Sequence, residues 1–246
     1  MEGKKGILTG ILVVFLGFAA WAGNNAVIYE SYVSGKMEAW KREMDRMQTT
    51  GNKEPEFLLE LVNYQYGYIG YCMGANKKSE ARFVLELAEK NLALVEQAGT
   101  ALALVNAYKA AFFGFRIGLN PVKAPLIGPK SDRAAEESLR LDPHNWLGLV
   151  QKANIQYYMP AAFGGSKKEA LQFLLKAKAQ MEKDPRLTEK NWNYLSMMAF
   201  LMQVYDGTGD LASARKTGEV ILKKEPRFVW VRDELYPGIL KKVNQK

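Results

Sequence analysis

The fold is decided by the stretch Asp142–Pro226, which reads DPHNWLGLVQKANIQYYMPAAFGGSKKEALQFLLKAKAQMEKDPRLTEKNWNYLSMMAFLMQVYDGTGDLASARKTGEVILKKEP. A helix-forming segment, a glycine-containing break and a second helix-forming segment precede an Asp-Pro pair, and the same order then repeats. This order is typical of stacked helical hairpins, in which each unit buries its apolar face against the next. It predicts an all-α chain whose helices pack in antiparallel pairs.

Small residues recur in this stretch at the spacing that facing helices need. Two alanines stand seven residues apart in the first unit, and an alanine and an isoleucine stand seven apart in the second. Small side chains let two helices approach closely, and a proline ends each hairpin before the next begins. The predicted packing residues are Ala170, Ala177, Leu201, Tyr205, Ala214, Ile221 and Pro226.

These spacings, together with the sequence SLRLDP at 138–143, resemble the tetratricopeptide repeat (TPR). That repeat is a helix-turn-helix unit of about 34 residues. Ala81 and Ala88 repeat the seven-residue spacing near the N-terminus. The resemblance implies a right-handed α-solenoid of about four hairpins that holds a protein or peptide partner.

The turn Met159–Ser166 is longer than an ordinary repeat turn. Its sequence is similar to insertions in exported bacterial repeat proteins, including the periplasmic T-component of tripartite ATP-independent periplasmic (TRAP) transporters. We expect Pro160 to end the first helix, Phe163 to tuck under the hairpin, and Gly164 and Gly165 to allow positive φ. Two glycines before a helix N-terminus could instead bind an anion, but no other phosphate-loop residues accompany them.

Residues 1–22 carry the features of a secretory signal peptide. A charged start precedes the apolar run GILTGILVVFLGFAAWA, which ends in the small-x-small pattern Ala20-Trp21-Ala22. This pattern favours cleavage after Ala22. The alternative is an uncleaved N-terminal anchor, which would add membrane association, because the run is near the length that spans a bilayer. Both interpretations predict that the body of the chain is exported to the periplasm or cell envelope.

The remainder of the chain divides into two predicted groups of hairpins. Residues 23–118 are expected to form degenerate N-terminal hairpins, and their first helix is predicted over 27–47 from its apolar periodicity. Residues 119–131 contain three of the nine prolines and are predicted to be a connection that could act as a hinge. Residues 132–246 are expected to form the C-terminal TPR-like hairpins.

The residue types that carry most enzyme chemistry are scarce in this chain. His144 is the only histidine and Cys72 the only cysteine, so neither can share a metal or a disulfide with its own kind. Apolar neighbours predict that Cys72 is a buried thiol rather than an intermolecular bridge or a nucleophile. The formal net charge of +8 is spread over mixed helix faces, unlike a nucleic-acid-binding stripe. We therefore expect no enzyme activity, cofactor, metal or nucleic-acid partner.

Aromatic residues on several predicted helices indicate a binding surface, because tyrosine and tryptophan are enriched at binding hot spots. At least half of these rings are expected to lie in the core. The partner-binding residues predicted on the concave side are Asn154, Tyr157 and Gln203. The predicted function is a non-catalytic scaffold for protein–protein interaction, and the alternative is a periplasmic ligand-binding accessory of a transport system with an enclosed cavity. The aromatic residues concerned are Tyr64, Tyr66, Tyr68, Tyr71, Tyr157, Tyr158, Trp192 and Tyr194.

Overall fold

A computed structural model describes residues 15–245, with side chains from residue 25 onward. The whole predicted signal peptide, residues 1–22, and the predicted cleavage site therefore lie outside the residues whose side chains are described. The described part is all-α, as predicted, and contains no strand. Its helices are α1 (Phe15–Ser34), α2 (Met37–Thr49), α3 (Pro55–Gly74), α4 (Lys78–Gln97), α5 (Leu102–Leu119), α6 (Ala124–Leu141), α7 (Trp146–Tyr158), α8 (Lys167–Met181), α9 (Trp192–Gly207), α10 (Leu211–Lys224) and α11 (Tyr236–Val243).

Consecutive helices pack in pairs. The pairs are α3 with α4, α5 with α6, α7 with α8, and α9 with α10, and a short connection joins the two helices of each. Neighbouring pairs also touch, because α4 packs on α5, α6 on α7 and α8 on α9. The residues predicted to pack these helices lie mostly inside: Ala170, Ala177, Leu201, Ala214 and Ile221 are buried, Tyr205 is half-buried and Pro226 is exposed.

Two predicted boundaries in the first half of the chain are wrong. The single helix predicted over 27–47 is two helices, because Gly35 adopts a φ of 72° between α1 and α2. The predicted connection over 119–131 is mostly helical, since α6 already begins at Ala124. Prolines fit this start because the first turn of a helix needs no backbone N–H, although Pro129 lies further inside. A buried hydrogen bond of 2.8 Å from Ser131 Oγ to the Ala110 carbonyl fixes α6 to α5.

Helix α1, at the N-terminal end of the described chain, packs against residues near the C-terminal end. The ring of Tyr32 lies 5.0 Å from that of Phe228 and 5.7 Å from that of Trp192, so α1 packs on residues that follow α10 and begin α9. At the surface, Arg227 Nη1 donates to Glu30 Oε2 over 2.9 Å. Ile28 and Val33 of α1 are fully buried. This helix is therefore part of the core.

An aromatic cluster occupies the middle of the molecule. Trp40 and Trp192 meet edge to face with ring centroids 5.0 Å apart, and both indoles rest on the backbone of α3 at Gly67. A β-carbon at Gly67 would lie 2.7 Å from ring atoms of both tryptophans. Tyr66 adds a ring 6.2 Å from Trp192 and accepts a hydrogen bond from Gln151 of α7. Helices from both halves of the chain thus share one core.

One described helix, α5, is long and apolar enough to cross a membrane. It packs against α3, α4, α6 and α7. Its two basic residues are paired at the surface, Lys109 with Glu96 and Arg116 with Glu89. These contacts agree with the sequence interpretation of α5 as a core helix.

A partly buried carboxyl on α3 gives the fold a predicted pH dependence. Burial raises the pKa of Glu60 to about 7, and a hydrogen bond from the Tyr64 hydroxyl opposes this rise only in part. The folded chain therefore binds more protons than the unfolded chain between pH 4.5, which equals the ordinary pKa of this group, and about pH 7. Because the folded state holds the extra proton, stability falls as pH rises through this interval.

We expect Glu60→Gln to flatten this dependence and to stabilise the protein at neutral to alkaline pH. Urea unfolding at about pH 5 and about pH 8 measures the change. Glu56→Gln is the matched control, since Glu56 is exposed on the same helix. A Glu60→Gln variant whose midpoint keeps the wild-type pH slope would contradict the prediction.

Candidate functional site

The turn between α7 and α8 has a defined backbone. Ala161–Phe163 form one 3-10 turn, and the Gly165 and Ser166 amides donate to the carbonyls of Pro160 and Gln156 over 3.2 and 2.9 Å. Gly164 has a φ of 94°, as the sequence predicted for this position, but Gly165 is needed for a different reason. A β-carbon at Gly165 would lie 1.8 Å from the Met159 carbonyl oxygen, so only glycine fits.

The position of Phe163 differs from the prediction. Its side chain is 77% exposed and does not tuck under the hairpin. The backbone hydrogen bonds of the 3-10 turn point this residue outward, and the space beneath the turn is occupied by Met159 close to Gly165. The turn therefore presents an apolar ring to its surroundings.

Beside this turn lies a group of three rings that we call the aromatic shelf: Tyr157, Tyr158 and Phe200. The rings of Tyr158 and Phe200 are parallel to within 2°, with centroids 6.3 Å apart. Tyr157 stands edge-on to both, at 5.0 and 5.5 Å. Tyr158 is 70% exposed. Partial burial and the neighbouring Tyr157 raise the pKa of Tyr158, so its phenol is neutral at physiological pH.

The shelf is held between α7 and α9 by close packing. Tyr157 lies against the backbone of Gly207, where an added β-carbon would be 2.8 Å from the phenol oxygen. The Lys167 ammonium sits 5.6 Å from the centroid of the Tyr157 ring and donates to the Gly207 carbonyl over 3.2 Å. A positive charge is therefore fixed next to the exposed rings.

The three predicted partner-binding residues come from the two helices that form the shelf. Tyr157 is part of it, Asn154 precedes Tyr158 by one turn of α7, and Gln203 follows Phe200 by one turn of α9. All three side chains are half-buried. The Asn154 amide donates to the Val150 carbonyl over 3.1 Å, which leaves its side-chain oxygen open. Asn154 and Gln203 thus each lie one helical turn from a ring of the shelf.

Sequence reasoning missed Phe200 and Lys167. Phe200 lies in an almost continuous apolar run, so its half-exposed position could not be distinguished from the core positions around it. Of the other aromatic residues predicted to line a groove, Tyr71 is half-buried, whereas Tyr64, Tyr68, Trp192 and Tyr194 are buried and Tyr66 packs among core rings. The middle of the molecule is therefore filled by the protein's own side chains.

Two surface clefts lie away from the shelf. One, of about 310 Å³, lies between α2, α3 and α4 and is lined by residues that include Lys41, Tyr71 and Lys77. The other, of about 350 Å³, lies beside Phe112 and Phe113 of α5. Neither is enclosed or touches the shelf. A ligand at the shelf would thus be bound on an open surface.

Two residues with chemical potential are placed away from the shelf. Cys72 is buried, as predicted, and burial raises the pKa of its thiol to about 11. His144 is exposed in the connection between α6 and α7. Within the described residues, no three side chains of histidine, cysteine, aspartate or glutamate are grouped to hold a metal ion.

No protein-family model matches the chain, and a search of curated proteins finds no match. A known structure has the same fold. The chain is similar to the HusA haemophore from Porphyromonas gingivalis, with a TM-score of 0.62 over 81% of this chain and 97% of that one. The two sequences are 20% identical, so the likeness concerns the fold.

Proposed function

We propose that this protein is an exported, non-catalytic binding protein that holds an apolar, acid-bearing ligand on the aromatic shelf. The observation that carries the proposal is the shelf itself, where the exposed Tyr158 ring lies parallel to Phe200 and the Lys167 ammonium lies over the third ring, that of Tyr157. Parallel rings offer a flat apolar face, and a fixed ammonium attracts a carboxylate. A flat molecule with carboxylate groups on its edge matches both.

Tetrapyrroles of the haem type are the ligand class that we infer. They combine a planar apolar ring with two carboxylate side chains, and the fold resembles that of a protein named as a haemophore. Helix pairs stacked as a right-handed TPR-like solenoid would bring α7 and α9 side by side, as the shelf requires. An exported location follows from the predicted signal peptide and agrees with this ligand class.

Titration with haemin, followed by absorbance and by quenching of tryptophan fluorescence, tests the proposal. We expect Tyr158→Ala combined with Phe200→Ala to weaken binding by roughly tenfold or more, because each lost ring contact contributes about 0.5–1.5 kcal/mol beyond its buried area. Tyr158→Phe should retain the affinity, since it keeps the ring.

Phe83→Ala is the control for adventitious binding, since Phe83 is 61% exposed on α4, outside the shelf. Equal loss of affinity in the Phe83 variant and the shelf variant would contradict a specific site. Titration with iron-free protoporphyrin distinguishes the contribution of ring stacking to the affinity from that of iron ligation. If both porphyrins bind alike, the ring and its carboxylates account for the affinity.

The second candidate is the protein-interaction scaffold predicted from the sequence. The paired helices and the half-buried Asn154 and Gln203 favour it, because amide side chains along helix faces are suited to a peptide backbone. Affinity capture from envelope extracts distinguishes the two functions. A partner lost from the Asn154→Ala and Gln203→Ala variants, together with no haemin binding, would favour the scaffold over the ligand carrier.

A further inference from the structure

Three large apolar side chains outside the shelf are more exposed than any others in the described residues. They are Val122 at 89%, Phe163 at 77% and Leu126 at 68%. We call them the apolar rim. Two of them belong to the connection and first turn between α5 and α6, and the third to the turn between α7 and α8. Exposed aliphatic and aromatic side chains on separate turns are not explained by the fold.

The packing of α6 on α7 brings the rim residues to the same end of this helix pair. Gly148 lies against Ser138, and Lys152 Nζ lies 2.5 Å from Asp132 Oδ1, so the two helices run antiparallel. Leu126 stands six residues before Asp132, and Tyr158 stands six after Lys152. Because α6 and α7 rise by the same distance per residue, Leu126 of α6 is level with the end of α7. The turn that contains Phe163 begins there.

The charged residues within the two segments that carry the rim are all lysines, and a carboxylate follows each segment directly, Asp132 after the first and Glu169 after the second. The segment 119–131 contains two lysines and no carboxylate, and the segment 158–168 contains two more lysines and again no carboxylate. Lys123, Lys130, Lys167 and Lys168 are all exposed. Lys123 adjoins Val122 in the chain, and Lys130 follows Leu126 by one helical turn. The rim is thus a set of exposed apolar side chains with exposed lysines close to them in sequence.

We propose that the apolar rim docks on the surface of an anionic membrane, with its three side chains in the interfacial region and its lysines against lipid headgroups. Protruding tips on separate turns suit a deformable surface, whereas a protein partner would require a matching set of cavities. Each lysine near an anionic leaflet contributes to such binding, and the contribution is screened by salt. The two proposals share Lys167, and docking would place the shelf at the bilayer surface.

Vesicle co-sedimentation of the chain without residues 1–22 tests this proposal, because the apolar N-terminal run is then absent. The probes are vesicles of phosphatidylcholine alone and of phosphatidylcholine with about one-third phosphatidylglycerol. We expect binding to the anionic vesicles that falls with added salt. Val122→Ser combined with Phe163→Ser should lower the partition coefficient by roughly tenfold.

The control variant is Val220→Ser, which removes a 45%-exposed valine near the far end of α10 and should bind vesicles as the wild type does. Thermal unfolding verifies that the rim variant is folded. If the wild type binds haemin at the shelf, the rim variant should also bind haemin in solution. The proposal is overturned if the wild type fails to bind anionic vesicles, or if the rim variant binds them equally well. Binding to both vesicle types alike would also overturn it, because the lysines would then have no role.

Discussion

Replacing Gly67 by alanine is expected to lower the free energy of unfolding by about 3 kcal/mol, within the range for overpacking a core. The added β-carbon would lie 2.7 Å from ring atoms of Trp40 and Trp192, closer than carbon atoms can approach. Neither indole can easily move away, because both are buried and the Trp40 Nε1 donates to the Tyr64 carbonyl over 3.0 Å. The side chains or helix α3 must therefore shift.

Gly70→Ala is the matched control, one helical turn further along α3. A β-carbon there meets no atom within 4 Å, so alanine should stabilise the helix by up to about 1 kcal/mol. Urea unfolding of the two variants measures both changes. If the Gly67→Ala variant is as stable as the Gly70→Ala variant, the two tryptophans do not pack on α3 as described.

Replacing Val33 by aspartate is expected to destabilise the protein by roughly 4 kcal/mol, because it buries a carboxyl group without a partner. Val33 is fully buried on α1, the helix that packs against α9 and the residues after α10. The same result would show that α1, the helix that runs through the predicted cleavage position after Ala22, belongs to the folded body.

The control for this change is Lys53→Asp, since Lys53 is exposed in the connection between α2 and α3. It should shift the melting temperature by no more than a degree or two, because surface substitutions usually stay within about 0.5 kcal/mol. An equally small shift for Val33→Asp would mean that α1 does not pack as described.

The all-α class and most helices could be predicted because they depend on local periodicity. The seven-residue spacing of Ala170 and Ala177 indicated which faces are buried, and both side chains are inside. The break at Gly35 could not be distinguished from a glycine tolerated within a helix. Likewise, the prolines at 121, 125 and 129 predicted a connection, although two of them lie within α6.

The candidate site was only partly predictable, because it depends on contacts between helices distant in sequence. Asn154, Tyr157 and Gln203 were identified from helix position, and the structure places them around the shelf. The exposure of Phe163 was not predicted, since it results from backbone hydrogen bonds within the turn. The burial of Trp192 depends on α1, which the sequence analysis did not place beside α9.

The contact between α1 and the segment after α10 limits how this architecture can evolve. In an open repeat array a unit can be duplicated at either end, because each unit touches only its neighbours. Here the Tyr29 hydroxyl donates to Glu225 over 3.1 Å and Arg227 donates to Glu30, so the first helix and the segment after α10 complete each other's surface. Inserting another hairpin would separate these partners. The number of helix pairs is therefore fixed, and relatives of this protein should vary in loops rather than in length by whole hairpins.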